Sequence, residues 1–360
     1  MLSIEILSAF ALSIVFIYII IKYARSLRLI DVPNGRSSHK NPIPKGAGIG
    51  FVLAALITSF LCNSDLMLQH VLTIAAVLMV LGVGVLDDIL DLSPKMKILT
   101  IFIAVVMIYF DGFAVTTLGN YMGYEVVLPW LLVLPFTYFS VVGFSNALNL
   151  IDGIDGLAGG VSMVILITLL AIGIKFDDAF IVLISASFSL ALAAFMFFNW
   201  SPAKIFMGDS GSLTLGFVIA MLFIKSLEYI NPTVVLFITA IPLLDTLSVI
   251  RRRLQRKRPI FKADKNHLHH ILLKQKRDVR FTAQMLIMMQ FFFSVIGYRL
   301  IGQDDSWNII LFAALFVIYF NLFDPRRRKR QKKKQNEPHH LQVAMREDDY
   351  ESSTTVQKTN

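Results

Sequence analysis

Residues 156–174 read GLAGGVSMVILITLLAIGI, nineteen positions without one charged side chain. A helix needs about 20 mostly apolar residues to cross roughly 30 Å of hydrocarbon, so this stretch has the length and character of a membrane span. Working outward, ten further stretches of similar kind lie near 3–22, 46–62, 70–86, 98–116, 129–146, 178–198, 212–227, 232–249, 282–301 and 307–323. The 360-residue chain is 56% hydrophobic and 16% charged, with a mean hydropathy of +0.65, which excludes a pair of soluble domains. The expected fold is all-α, a polytopic integral membrane protein of about 11 transmembrane helices. The first span starts with Glu5 and lacks a basic n-region and a small-residue cleavage site, so it reads as a retained helix rather than a signal peptide. The single cysteine, Cys62, excludes an intramolecular disulfide framework.

The net charge of +9 is mostly orientation. Of the 34 Lys and Arg residues, 31 fall on one side, in segments 22–45, 87–97, 199–211, 250–281 and 324–360; only Lys175, Lys225 and Arg299 are left to the other. The positive-inside rule makes the rich side cytoplasmic, with the N-terminus outside and the C-terminus inside. Charge so dispersed along apolar sequence does not read as nucleic-acid binding. Residues 1–325 are expected to form one transmembrane catalytic domain and 326–360 a tail, first basic (RRRKRQKKK, Arg326 to Lys334) and then polar and disordered.

Ionisable groups near a bilayer cost a few kcal/mol at mid-depth and so point to function. Here they collect on the cytoplasmic side. Asp87, Asp88 and Asp91 (DDILD) close the third span, and their i,i+3 and i,i+4 spacings let them share a helix face. Asn146, Asn149, Asp152 and Asp155 (NALNLIDGIDG) follow the fifth, where glycines argue for a helix break beside a polar cavity. Asp209 (FMGDSGS) is a candidate N-cap whose helix start offers free N–H groups to a phosphate. His267, His269 and His270 (HLHH) sit in a loop too basic for a cation, so they read as phosphate or sugar contacts rather than zinc ligands. The first loop adds His39, Lys40 and Lys45 between prolines and glycines. Adjacent carboxylates need a cation, and an open, carboxylate-poor site completed by the oxygens of water and diphosphate suits Mg²⁺, with Mn²⁺ as a substitute.

In this order, DxPNxRSSHxxPxPxGxG, DDILD, NALNLIDGIDGLAGG, FMGDSGS and HLHH, the motifs resemble the polyprenyl-phosphate N-acetylhexosamine-1-phosphate transferases, glycosyltransferase family 4, over roughly residues 28–275. The branch resembled is that of bacterial undecaprenyl-phosphate GlcNAc-1-phosphate transferases. The resemblance implies that Asn149 and Asp209 hold the metal, that Asp152 and Asp155 line the nucleotide pocket, and that the histidines lie near the donor diphosphate. It implies that Asp87 and Asp88 act on the lipid phosphate, with Asp209 completing the catalytic set. Asn146, Asp91, His39, Lys40 and Lys45 are expected to contact substrate. Relatives making the peptidoglycan precursor carry Lys where this chain has Asp91, which argues against a muramoyl-pentapeptide donor. The implied setting is the bacterial cytoplasmic (inner) membrane, with the site on the cytoplasmic face and a homodimer as an option.

The expected reaction moves a sugar-1-phosphate from a UDP-sugar to undecaprenyl phosphate, releasing UMP, as a first membrane step of O-antigen, enterobacterial common antigen, teichoic acid or capsule synthesis. Two other readings fit some residues. DDILD matches the DDxxD signature of an intramembrane prenyltransferase, though NLIDGIDG is a poor second motif. A secondary transporter also uses membrane acids, but places them near the midplane.

Overall fold

The computed structural model describes residues 4–33, 41–255, 257, 267–276 and 278–323. His39, Lys40 and the tail 324–360 lie outside these. The chain divides into two compact units, Met1–Ala314 and Leu315–Asn360; of the second, the described part is the end of a helix.

The described residues are mainly helical. The helices are α1 (Ser8–Tyr23), α2 (Ala47–Cys62), α3 (Ser64–Gln69), α4 (Val71–Leu90), α5 (Pro94–Phe110), α6 (Trp130–Ile151) and α7 (Leu157–Phe176). They continue as α8 (Ala179–Asn199), α9 (Gly208–Ser226), α10 (Pro232–Ile238), α11 (Ala240–Gln255), α12 (Leu268–Lys276), α13 (Val279–Arg299) and α14 (Asp305–Leu322). Two antiparallel ribbons complete the set: β1 (Ile30–Asp31) with β2 (Ile43–Pro44), and β3 (Thr117–Tyr121) with β4 (Tyr124–Val127). Among the described residues, eight helices are long and apolar enough to cross a membrane, or nine if α10 and α11 count as one bent span. The chain is thus an all-α, polytopic membrane protein. The stretches read at 46–62 and 98–116 form helices of 16 and 17 residues.

α9 is the central post. Of its best 18-residue window 83% is buried, against 28% for the first helix, so α9 faces protein all round while α1 keeps a lipid-facing side. Small residues let its neighbours approach. A Cβ added to Gly84 of α4 would lie 2.5 Å from Ser210 Cα, and one on Gly216 of α9 would lie 2.6 Å from Ser145 Cα of α6. Backbones that close exchange dispersion contacts that larger side chains would prevent.

One stretch departs from a continuous span. Residues 232–249 bend by 87° between α10 and α11. Pro242 is the cause: it has no N–H, and its ring excludes the carbonyl four residues back, that of Ile238. Gln290 of α13 repairs the gap, its Nε2 donating to Ile238 O at 2.7 Å and its Oε1 accepting from Ile241 N at 3.0 Å. Freed backbone groups in a membrane protein need such a partner.

Polar side chains gather at the two ends of the helices. One end holds Asp111, Asp178, Asp304 and Asp305. Asp305 is fully buried and accepts from Asn120 N (2.7 Å), Asn231 Nδ2 (3.0 Å) and the Thr233 hydroxyl, which staples the β3–β4 ribbon to the starts of α10 and α14. The other end carries the motifs.

Candidate active site

Five elements remote in sequence bring their polar residues together here. α4 runs to Leu90 and supplies Asp87 and Asp88, both buried. Asp88 spends both oxygens on the start of α9: Oδ1 accepts from Asp209 N and Oδ2 from Ser210 N, each at 3.0 Å. This corrects the expectation for α9. Asp209 is not its N-cap; the helix begins at Gly208, no side chain of its own segment caps it, and Asp209 sits in the first turn. Asp88 caps it from across the helix interface. Two N–H groups expected to be free for a phosphate are therefore taken. Gly208 makes the fit possible, with φ +75° and a would-be Cβ only 2.5 Å from Asp88 Oδ2.

Asp209 itself faces outward. Its Oδ1 accepts from Asn149 Nδ2 at 2.9 Å and its Oδ2 from Lys97 Nζ at 2.6 Å, and 29% of the side chain is exposed against 4% for Asp88. Asn149 also donates to Ser212 Oγ at 2.8 Å, so both its N–H bonds are used on α9, and its amide oxygen has no hydrogen bond among the described residues. Lys97, near the start of α5, bridges Asp209 to Asp87 Oδ2 at 2.5 Å. Asp87 Oδ1 accepts from Leu92 N at 2.8 Å, which closes the turn after α4. Lys45 approaches Asp88 Oδ1 at 3.8 Å.

Asp91 and Asn146 do not join this network. α4 ends before Asp91, which turns into left-handed backbone (φ 53°) and is exposed, so the three acids of DDILD do not share a helix face. Asn146 is exposed on α6, three residues and nearly one turn before Asn149. The glycine-rich turn after α6 is as expected: α6 stops at Ile151 and α7 starts after Gly156, in left-handed backbone. Asp155 Oδ2 accepts from Ala203 N at 3.0 Å, and buried Asn199 joins Gly156 N to Ile205 O, both at 2.9 Å, so these bonds tie the turn to the loop before α9. Burial pushes the Asp152 carboxyl up to about 7, and Asp209, Asp88 and Asp155 push the same way.

His269 packs against that turn, with the His267 and His270 rings beside it. His267 Nδ1 lies 2.8 Å from Asp245 Oδ2, and Asp245 Oδ1 accepts from Leu268 N at 2.7 Å. His269 is buried, its Nε2 meets Gly153, and burial lowers its pKa to about 3. His270 is half-buried with its ring centroid 4.2 Å from that of His269.

Lys97 and Asp245 carry weight that the motif reading missed. Lys97 was counted only toward orientation, although it lies nine residues past Asp88 at the head of a span. Asp245 is a lone acid in an apolar stretch, and the cost of burying a carboxylate was itself the signal.

The residues fit a hard divalent cation. Among the described residues no group of three His, Cys, Asp or Glu side chains is placed to enclose a metal, but Mg²⁺ keeps water and phosphate in its shell and takes only one or two protein carboxylates. The outward Asp209 carboxylate and the free Asn149 oxygen supply such an open donor set, and Lys97 already holds positive charge between Asp209 and Asp87.

Residues 70–227 match the family described as Glycosyl transferase family 4, a segment that holds α4 to α9 and most of the network. A probable undecaprenyl-phosphate N-acetylglucosaminyl 1-phosphate transferase of Bacillus subtilis (strain 168) is 31% identical over 331 residues, 89% of this chain and 91% of its own. The undecaprenyl-phosphate alpha-N-acetylglucosaminyl 1-phosphate transferase of Yersinia pestis is 31% identical over 348 residues (88% and 90%), and that of Salmonella typhi 34% over 290 (75% and 76%). Identity of this extent over nearly the whole length, with the motifs meeting at one end of the helices, shows that the chain belongs to glycosyl transferase family 4.

Proposed function

We propose that this chain transfers an N-acetylhexosamine 1-phosphate, GlcNAc-1-phosphate first among them, from a UDP-sugar to undecaprenyl phosphate. A phosphate oxygen of the lipid attacks the β-phosphorus of the donor in line; the bond from that phosphorus to the α–β bridging oxygen breaks, and UMP leaves with its electron pair. The product is undecaprenyl-diphospho-sugar. The names carried by the relatives favour undecaprenyl phosphate as acceptor and N-acetylglucosaminyl 1-phosphate as the group moved. The observation that carries the reading is the outward Asp209 carboxylate, set between Asn149 and Lys97 at a helix start.

Phosphoryl transfer depends mainly on positioning and charge neutralisation. Asp209 and Asn149 would hold Mg²⁺, which supplies charge neutralisation on the diphosphate when bound. Lys97, released from one carboxylate, is placed to neutralise a phosphate oxygen of the donor. A lipid phosphate monoester has a second pKa near 6, so it is largely dianionic at pH 7 and needs no strong base. Asp88, with both oxygens held by backbone, then serves as the cap that aims Asp209, and Asp87 anchors Lys97. The same charge pattern, 31 basic residues on the motif side, favours a site on the cytoplasmic face of the inner membrane.

The test is a panel of UDP-GlcNAc, UDP-GalNAc, UDP-QuiNAc and UDP-FucNAc, each with undecaprenyl phosphate, Mg²⁺ and detergent-purified protein, reading UMP and the mass of the lipid product. UMP from at least one donor is expected. No UMP from any of them, with the protein folded, removes the proposal.

A further inference from the structure

Asp245 lies on α11 six residues past the 87° break, and only 2% of it is exposed. A carboxylate that deep in a mostly apolar helix is costly unless fully bonded. Both of its oxygens are engaged, and both bonds run to the HLHH motif: Oδ1 receives Leu268 N at the first turn of α12, and Oδ2 pairs with His267 Nδ1 at 2.8 Å. An ionised carboxylate has no hydrogen to give, so Nδ1 must carry the ring proton. Nε2 is then the one ring nitrogen left to meet another molecule, and it has no hydrogen-bond partner among the described residues.

The ring is placed as well as protonated by its surroundings. It stacks on His269 with centroids 5.8 Å apart and 14° between planes. His269 in turn meets Gly153, inside the turn that carries Asp152 and Asp155. One more ring thus links the pair to the residues expected around the nucleotide.

We infer that Asp245 and His267 form a carboxylate–imidazole dyad in which Asp245 is a positioning residue, fixing the tautomer and tilt of His267 so that Nε2 is presented to the UDP-sugar donor. The inference rests on the transferase reading for the donor's identity. The arrangement follows the logic by which an aspartate orients a catalytic histidine without itself reacting.

Asp245→Asn separates orientation from simple folding. The amide oxygen still accepts from Leu268 N, so the start of α12 keeps its cap, while the amide NH₂ donates to Nδ1 and moves the ring proton to Nε2. With full-length protein in detergent, kcat/KM for UDP-GlcNAc is expected to fall roughly 10–100-fold, the usual cost of losing an orienting partner. In a His267→Gln background the same change is expected to cost nothing further, because its effect acts through the ring. Losses that multiply in the double variant, or an Asp245→Asn protein equal to wild type, overturn the dyad. Nitrogen-15 NMR of the unmutated, histidine-labelled protein gives a second measurement, with the His267 signals identified by their loss in His267→Gln. A protonated Nδ1 is expected, and a ring protonated only at Nε2 overturns the proposal. A wild-type protein that neither binds nor turns over UDP-GlcNAc would refute the donor reading, while the NMR result would still decide the dyad.

Discussion

Replacing Asp88 by Asn tests whether this carboxylate is a cap or a base. The wild-type side chain is 4% exposed and receives two backbone N–H bonds from α9. Asn retains one acceptor; its NH₂ faces the second N–H, and water does not reach the position to replace the bond. Losing a hydrogen bond to a charged group costs about 1.5–3 kcal/mol, and a buried donor left unpaired costs about 1–3 kcal/mol. These overlap, and cap replacements elsewhere cost about 0.5–2 kcal/mol; with both bonds buried, a loss of about 2–4 kcal/mol is expected, with a melting temperature several degrees lower. Because the cap aims the first turn of α9, Asp209 shifts too, and a displacement near 1 Å can cost about 100-fold in rate. The assay is UMP release beside thermal unfolding in the same detergent. Unchanged melting combined with a rate loss of ten-thousand-fold or more would refute the cap and return Asp88 to direct chemistry on the lipid phosphate.

Other changes separate the remaining roles. Asp209→Asn is expected to abolish Mg²⁺-dependent UMP release with melting little altered, since its side chain is 29% exposed; near-normal turnover would remove the metal assignment. Lys97→Met is expected to cut kcat/KM by roughly 100-fold, on the scale of about 2.7 kcal/mol of lost charge stabilisation, without raising the Mg²⁺ concentration for half-maximal rate. A raised requirement would mean that Lys97 only assembles the carboxylates. His269 has a folded-state pKa near 3 against 6.5 for the free ring, so as pH falls the unfolded chain takes up the proton first. Stability is therefore full above pH 6.5 and is lost as pH falls toward 3, by about 1.4 kcal/mol per unit at most. His269→Gln is expected to flatten the fall in melting temperature between pH 6.5 and 5, and an unchanged slope would contradict the buried neutral ring.

The spans were legible because apolar length is a local property: every stretch marked in the sequence overlaps helix, although 232–249 is divided between α10 and α11 and α5 ends at Phe110, short of the marked 116. The break at Pro242 was equally local, but its repair by Gln290 is a contact between α11 and α13 that no spacing reveals. The site divides the same way. The motifs named Asn149 and Asp209 as neighbours of a ligand, and the two side chains do touch. Spacing misled where the helix ended early, which removed Asp91 from the face of Asp87, and where the cap of α9 came from α4 instead of its own segment. Lys97 and Asp245 are single residues in apolar surroundings, and only the packing of α5 on α4 and of α11 beside the histidines gives them partners.

Sugar-phosphate transfer differs from sugar transfer in the fate of one atom, the β-phosphorus of the donor. UDP-GlcNAc labelled at that phosphorus, incubated with undecaprenyl phosphate, Mg²⁺ and purified protein, is predicted to leave its label in the lipid product and to release unlabelled UMP. Label recovered in solution as UDP, with the lipid gaining sugar alone, would contradict the account.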